Sequence, residues 1–292
     1  MTIALFGKKF NESFNTIIHN LLTKLLNNGH QVYIYSPLYE FLHGQKIFTS
    51  EASGLFDRPD NLPKNIDFLI CIGGDGTFLE AITFIRDTGI PLVGINSGRL
   101  GFLANIASCE VDNAVDNLIS KKYIIEERRV LKLSSTKFIF SDFPYALNDF
   151  TVQRTGSSLI TIHITINGEY LNSYWTDGII ISTPTGSTAY SLSLGGPIVT
   201  PNSHNFIITP IGAHNLNVRP LVIPDSAELK ITVEGRTDTL LATLDSRSVI
   251  CSVDNEMTIA RAPFCIRLIK LPQLDFYATL RNKLMWGADK RN

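Results

Sequence analysis

The chain has 292 residues, with 26 Lys and Arg against 27 Asp and Glu, for a formal net charge of −1. A protein that coats nucleic acid or lies on a membrane surface carries a basic excess, which this composition excludes. With 44% hydrophobic and 18% charged residues the composition is globular, and the length suits roughly two domains.

In chain order, residues 3–6 read as a short apolar strand, followed at once by Gly7-Lys8-Lys9. That order and length do not make an export signal, and no run approaches the ~20 apolar residues of a membrane span. Phe14, Ile17, Ile18, Leu21, Leu22, Leu25 and Leu26 recur at helical spacing, and Asn28-Gly29 supplies a stop. Residues 31–35 are β-rich, and residues 44–64, with Ser, Gly, Asp and two prolines, are expected to form a surface loop. A continuous apolar run at 68–72, helical periodicity at 78–85 and a strand pattern at 91–95 complete an alternating series. Strands with few polar residues, separated by helices, predict a parallel sheet covered on both faces.

After about residue 122 the pattern changes to short alternating segments, such as 159–166, 178–182, 229–233 and 249–253, with Asn167-Gly168 as a hairpin signal. This half is expected to be mostly antiparallel β. Residues 185–196, rich in Ser, Thr and Gly, carry no strand pattern, and residues 276–286 return to helical spacing. Cys71, Cys109, Cys251 and Cys265 show neither zinc-ligand nor disulfide-scaffold spacing, which fits a reducing cytoplasm.

Three stretches could carry chemistry. Gly73-Gly74-Asp75-Gly76-Thr77 lies between a buried strand and a helix, where open α/β sheets place their ligands. Glycines let a phosphate approach the backbone, and a helix N-terminus offers N–H donors to it. Asp75 would repel a phosphate, so it either takes a proton from a hydroxyl nucleophile, holds a bridging cation, or caps the helix. A P-loop is absent, and Leu79 stands where the dinucleotide fingerprint needs glycine. A second glycine loop, residues 94–102, ends in Phe102, either a base-stacking surface or a core residue. The third stretch, residues 177–197, has the hydroxyls and small residues to hold a polar ligand against the backbone. No histidine sits in triad spacing, and Ser187 lacks a nucleophile elbow, which argues against a hydrolase.

The glycine loops, Asn148-Asp149 and residues 177–197 together resemble, in order, the motifs of the ATP-dependent NAD kinase family. Lipid kinases and phosphofructokinases share the first loop, but not the 177–197 stretch. The resemblance implies an α/β domain with a parallel sheet at residues 1–122, a β-rich, sandwich-like NAD-binding domain at 123–270, and a segment at 271–292 packing back on the first domain. It implies transfer of phosphate from ATP to the 2′-hydroxyl of the adenosine ribose of NAD, giving NADP, with a divalent cation such as Mg²⁺. By resemblance Asp75 is the proton acceptor, with Gly73, Gly74 and Thr77 in the phosphate loop. Gly76, Phe102, Asn148, Asp149, Asp177, Thr185, Thr188, Ala189, Tyr190, Ser191, Leu192, Ser193 and Arg247 match substrate contacts, Asp149 standing one methylene shorter than the family's Glu. Trp175 and Arg247 fall at positions that vary within the family; Arg247 is alternatively a surface ion-pair residue. Glu80 either helps hold the metal or is exposed, the latter being favoured, and His214 either faces the ligand or is structural. The family implies a cytoplasmic homo-oligomer, dimer or tetramer, with a site between its domains. Another kinase of the Gly-Gly-Asp-Gly group and a non-catalytic dinucleotide sensor are the competing readings.

Overall fold

A computed structural model of the chain describes residues 1–98, 100–272 and 275–287. It separates into two compact units, Met1–Glu127 with Ile266–Asn292, and Arg128–Cys265. In chain order the elements are β1 (Thr2–Gly7), α1 (Asn15–Asn27), β2 (Gln31–Tyr35), α2 (Ser36–Gly44), β3 (Gly54–Phe56), β4 (Phe68–Ile72), α3 (Asp75–Ile85), β5 (Leu92–Ile95) and α4 (Val111–Ile119). Then follow β6 (Ile124–Ser135), β7 (Tyr145–Ala146), β8 (Asp149–Arg154), β9 (Ile160–Ile166), β10 (Glu169–Thr176), β11 (Gly178–Ser182) and α5 (Tyr190–Ser193). The last are β12 (Asn205–Ile211), β13 (Leu221–Pro224), β14 (Leu229–Gly235), β15 (Thr239–Leu244), β16 (Arg247–Ser252), β17 (Met257–Lys270) and α6 (Phe276–Leu284). No helix of the described residues is long and apolar enough to cross a membrane.

In the first unit the strands pair in the order β5-β4-β1-β2-β3, all parallel. Leu268 of β17 adds a parallel pairing to Leu92 of β5. Every residue of β1, β4 and β5 is buried, as strands covered on both faces require. Helix α1 buries Ile18, Leu21, Leu22 and Leu25, and stops where Gly29 takes a positive φ of 72°. Ile18 and Leu22 share a core with Leu5, Ile34, Ile70 and Ile95.

One expectation for this unit is corrected. The stretch 44–64 is not all surface loop, because β3 pairs with β2 and Phe56 is fully buried. Three residues of strand are too few for a period of two to stand out in sequence.

The second unit holds antiparallel sheets. One pairs β10, β9, β14 and β17, and the other runs β13-β12-β11-β8-β15-β16. Short β7 pairs with β6 through Leu131 and Ala146. Alternation decides the packing: Ile160, Ile162 and Ile164 from one sheet share a core with Phe150, Val152, Ile179 and Ile181 from the other. This is a β-sandwich. Asn167 and Gly168, at φ 52° and 86°, make the β9–β10 turn that their dipeptide predicts.

Candidate active site

In the first unit the loop between β4 and α3 has three glycines with different reasons to be glycine. Gly73 sits at φ 154°, and a Cβ there would meet Thr77 Oγ1 at 2.6 Å. Gly74 and Gly76 are exposed, and a Cβ on either would meet nothing within 4 Å. Packing therefore does not demand glycine at those two positions, whereas close approach of a ligand to the backbone would. Helix α3 begins here with Gly74 as its N-cap and no side-chain cap, so its terminal N–H groups face outward with the positive end of the helix dipole.

Asp75 is the first residue of α3 and does not cap it. Its carboxylate reaches across to the second glycine loop, where Oδ1 accepts from the Leu103 and Ala104 N–H groups at 3.0 Å each and Oδ2 from the Phe102 N–H at 2.9 Å. The approach is tight: a Cβ on Gly101 would lie 1.9 Å from Asp75 Oδ1. Three of the roughly four acceptor positions of a carboxylate are thus filled, and the remaining one lies on Oδ2. Asn96 shapes the rest of that loop, accepting from the Gly98 N–H at 2.7 Å and donating to the Ala104 carbonyl at 3.3 Å. Arg99, within the same loop, lies outside the described residues.

Phe102 is half-buried against Phe276 of α6, with ring centroids 6.5 Å apart, and the Lys283 ammonium lies 4.6 Å from its ring centre. The same ammonium is 3.7 Å from Asp75 Oδ2. Glu80 is not freely exposed as expected. It is half-buried and pairs at 2.5 Å with Lys8, which follows the end of β1.

In the second unit, residues 147–149 are held from two sides. From one, the buried Asp245 carboxylate accepts the N–H groups of Leu147, Asn148 and Asp149 at 2.9, 2.7 and 3.2 Å. From the other, Thr183 donates its N–H to the Asn148 carbonyl at 2.8 Å and its hydroxyl to the Leu147 carbonyl at 2.5 Å. Gly186 packs so closely that a Cβ would meet the Asn148 carbonyl oxygen at 2.1 Å. Asp245 sits at φ 52° in the two-residue β15–β16 turn. Sequence reasoning passed over it as a neighbour of Arg247; its signal was an Asp opening a hairpin turn.

Asp149 is buried, with Thr151 Oγ1 3.5 Å away, and its pKa is pushed up to about 7, first by burial and then by the Asp245 charge. Burial also raises Asp245, opposed by its three N–H donors and by Arg247. Opposite Asp149 across the ladder stands Ser182, and Thr185 follows on the 3₁₀ turn Thr185–Thr188. The hydroxyls of Ser182 and Thr185 are buried and have no hydrogen-bond partner among the described residues. Buried unpaired hydroxyls are costly, and here they sit in the motif expected to meet substrate.

From that turn the chain continues as Thr188 and Ala189, half-buried, then α5, where Tyr190 and Ser193 are exposed, Leu192 is half-buried and Ser191 is buried against Thr209 at 2.8 Å. Asp177 is paired with Arg154 at 2.6 Å and pressed against Gly212. Arg247 donates to the carbonyls of Phe143, at 2.5 Å, and Tyr145, and lies over the Phe143 ring, so its guanidinium fastens the 143–145 segment. Burial lowers its pKa, with Asp245 and Asp142 opposing. Trp175 is 54% exposed and lies 5.6 Å from the exposed His214 ring.

Family models describe both parts of the chain: the ATP-NAD kinase N-terminal domain over residues 3–123 and the C-terminal domain over 147–271. The NAD kinase of Flavobacterium psychrophilum is 48% identical across the whole of both chains, and that of Cytophaga hutchinsonii 46%. The chain belongs to the NAD kinase family. Among solved structures, an NAD kinase from Archaeoglobus fulgidus in complex with ATP superposes with a TM-score of 0.75 at 25% identity, covering 98% of this chain and 99% of that one. Yeast NADH kinase complexed with NADH shares the fold, with a TM-score of 0.86 at 23% identity over 99% of this chain and 88% of that one. Its family makes this chain an enzyme, an NAD kinase.

Proposed function

We propose that the enzyme transfers the γ-phosphoryl group of ATP to the 2′-hydroxyl of the adenosine ribose of NAD, giving NADP, with Asp75 as the proton acceptor. The ribose oxygen forms a bond to the γ-phosphorus, the bond from that phosphorus to the β,γ-bridging oxygen breaks, ADP leaves, and the hydroxyl proton passes to Asp75. The observation that carries this reading is the Asp75 carboxylate itself, fixed by three N–H groups beside two glycines that packing leaves open. Phosphoryl transfer is largely positioning and charge stabilisation, and a carboxylate already fixed needs no reorganisation as the hydroxyl proton departs. Gly73, Gly74, Gly76 and Thr77 line the phosphate path in this reading. Phe102 lies against the adenine, and Asn148, Asp149, Asp177, Thr185 and residues 188–193 contact the dinucleotide, Thr185 with its unpartnered hydroxyl. Arg247 acts through the 143–145 segment that it fastens. ATP in the archaeal relative and NADH in the yeast enzyme support the choice of substrates.

Among the described residues no group of three His, Cys, Asp or Glu side chains could hold a metal. Asp75 is held by three N–H donors and Glu80 is paired with Lys8. Mg²⁺ bound with ATP would neutralise charge on the triphosphate, and a cation of this kind would not need a cage of protein side chains. A cytoplasmic homo-oligomer, dimer or tetramer, completes the proposal, and light scattering of the purified protein reads the assembly.

The test is Asp75→Asn. Titration calorimetry should show NAD binding close to that of the unaltered enzyme, while NADP formation from ATP and NAD falls by roughly a hundredfold or more, the scale of a lost general base. Unchanged turnover in the variant removes Asp75 from its role. Binding of NAD by the unaltered protein with no NADP formed would instead make it a dinucleotide sensor, and phosphate passing to a lipid or sugar would make it another kinase.

A further inference from the structure

We propose that Lys283 is a positioning residue for phosphoryl transfer, acting through Asp75 and Phe102. The proposal rests on Asp75 being the proton acceptor and adds a part that neither the glycine loops nor the 177–197 motif contains.

Helix α6 starts at Asp275, whose side chain accepts the Tyr277 and Ala278 N–H groups at 3.3 Å. From that start Phe276, Leu280 and Lys283 fall at i, i+4 and i+7, on one face of the helix. Leu280 is buried and Phe276 meets Phe102, so this face packs inward. A lysine at the third position of an inward face is out of pattern. The ordinary explanation for a cation in a last turn is the helix dipole, which asks only that the charge lie near the C-terminal carbonyls. Here the ammonium has specific partners besides, Asp75 Oδ2 and the Phe102 ring.

The two distances define what it does. At 3.7 Å the ammonium attracts Oδ2 without the length of a hydrogen bond, so the last acceptor position on that oxygen stays open to a ribose hydroxyl. At 4.6 Å over the ring it holds Phe102, whose own N–H is the donor to Oδ2. One ammonium thereby ties together the acid, the aromatic ring and the loop that presents both. Side-chain exposures of 33% for Lys283 and 31% for Asp75 mean that water weakens the pair without abolishing it.

The experiment is a double-mutant cycle on the full-length enzyme. Lys283→Met keeps the aliphatic stem and removes the charge, and Lys283→Arg restores a cation. The Met variant should lose roughly three- to tenfold in kcat, the scale of a partly exposed ion pair together with a cation–π contact, with KM for NAD and Tm unchanged. The Arg variant should recover most of the loss. In an Asp75→Asn background, Lys283→Met should cost nothing further in kcat, because the group it positions is gone. Equal losses in both backgrounds, a fall in Tm with kcat intact, or a change in KM alone would each overturn the positioning role. If Asp75→Asn turns over normally, the proton-acceptor reading fails and this inference falls with it. If Asp75→Asn is crippled and Lys283→Met is fully active, only the Lys283 inference fails.

Discussion

In the proposed mechanism Asp75 meets two demands on one side chain: it closes a loop through three N–H groups and leaves one oxygen position to take the hydroxyl proton. Gly101 is the residue that makes this possible, because any side chain there would enter the carboxylate. Gly101→Ala places a methyl 1.9 Å from Oδ1, and one of the two must move. The expected result is a loss of turnover approaching that of Asp75→Asn, with a stability loss of about 1 to 3 kcal/mol, the usual cost of overpacking. Assaying NADP formation beside a urea melt checks both halves. Gly76→Ala is the control: its Cβ meets no protein atom, so stability should hold while ATP binding weakens if phosphate passes over that backbone. From sequence both residues read alike, as glycines in glycine loops. Only packing separates Gly101, which makes room for a protein carboxylate, from Gly76, whose added Cβ would meet no protein atom.

At the scale of elements, the segment 147–149 is ordered by parts of the chain far from it in sequence. Asp245 comes from the β15–β16 turn, and Thr183 from the end of β11. This is why the 177–197 stretch was legible as a motif while its support was not: periodicity reports local elements, but a hydrogen bond across 97 residues leaves no local trace. Strands β1, β2, β4, β5, β9, β11, β14 and β16, with α1, α3 and the Asn167-Gly168 turn, were readable for the converse reason, since each is set by its own spacing or turn chemistry. Lys283 was hidden in the same way as Asp245, as a charge in a helix whose inward face only the packing reveals. Asp245→Ala should strip three N–H groups of their acceptor. Unless water reaches them, each costs about 1 kcal/mol or more, so roughly 3 kcal/mol is expected. A fall in Tm with NAD affinity reduced, and ATP affinity retained, is the outcome that places this turn in support of the dinucleotide segment.

For the whole molecule, a net charge of −1 must coexist with anionic substrates, and in the proposed reading local features serve that end: open glycines at a helix N-terminus and buried hydroxyls that have no partner among the described residues. It also buries two carboxyls side by side, Asp149 and Asp245, and this has a global consequence. The folded Asp149 holds its proton to about pH 7, first because of burial, against an ordinary carboxyl value of 3.8. Between those values the folded state binds one more proton than the unfolded state, so stability falls as pH rises. The contribution is fully present below about pH 4 and is lost on passing through about pH 7, at roughly 1.4 kcal/mol per pH unit within the window. Asp245, also raised, acts with the same sign. Asp149→Asn keeps the shape and removes the titrating proton. Melting temperatures of the two proteins at pH 5, 6, 7 and 8 should therefore diverge, the variant gaining relative stability from pH 5 to 7 and levelling above it. Parallel curves across that range would show that Asp149 ionises in the fold as it does in the open chain, and that its burial does not set the stability of the sandwich.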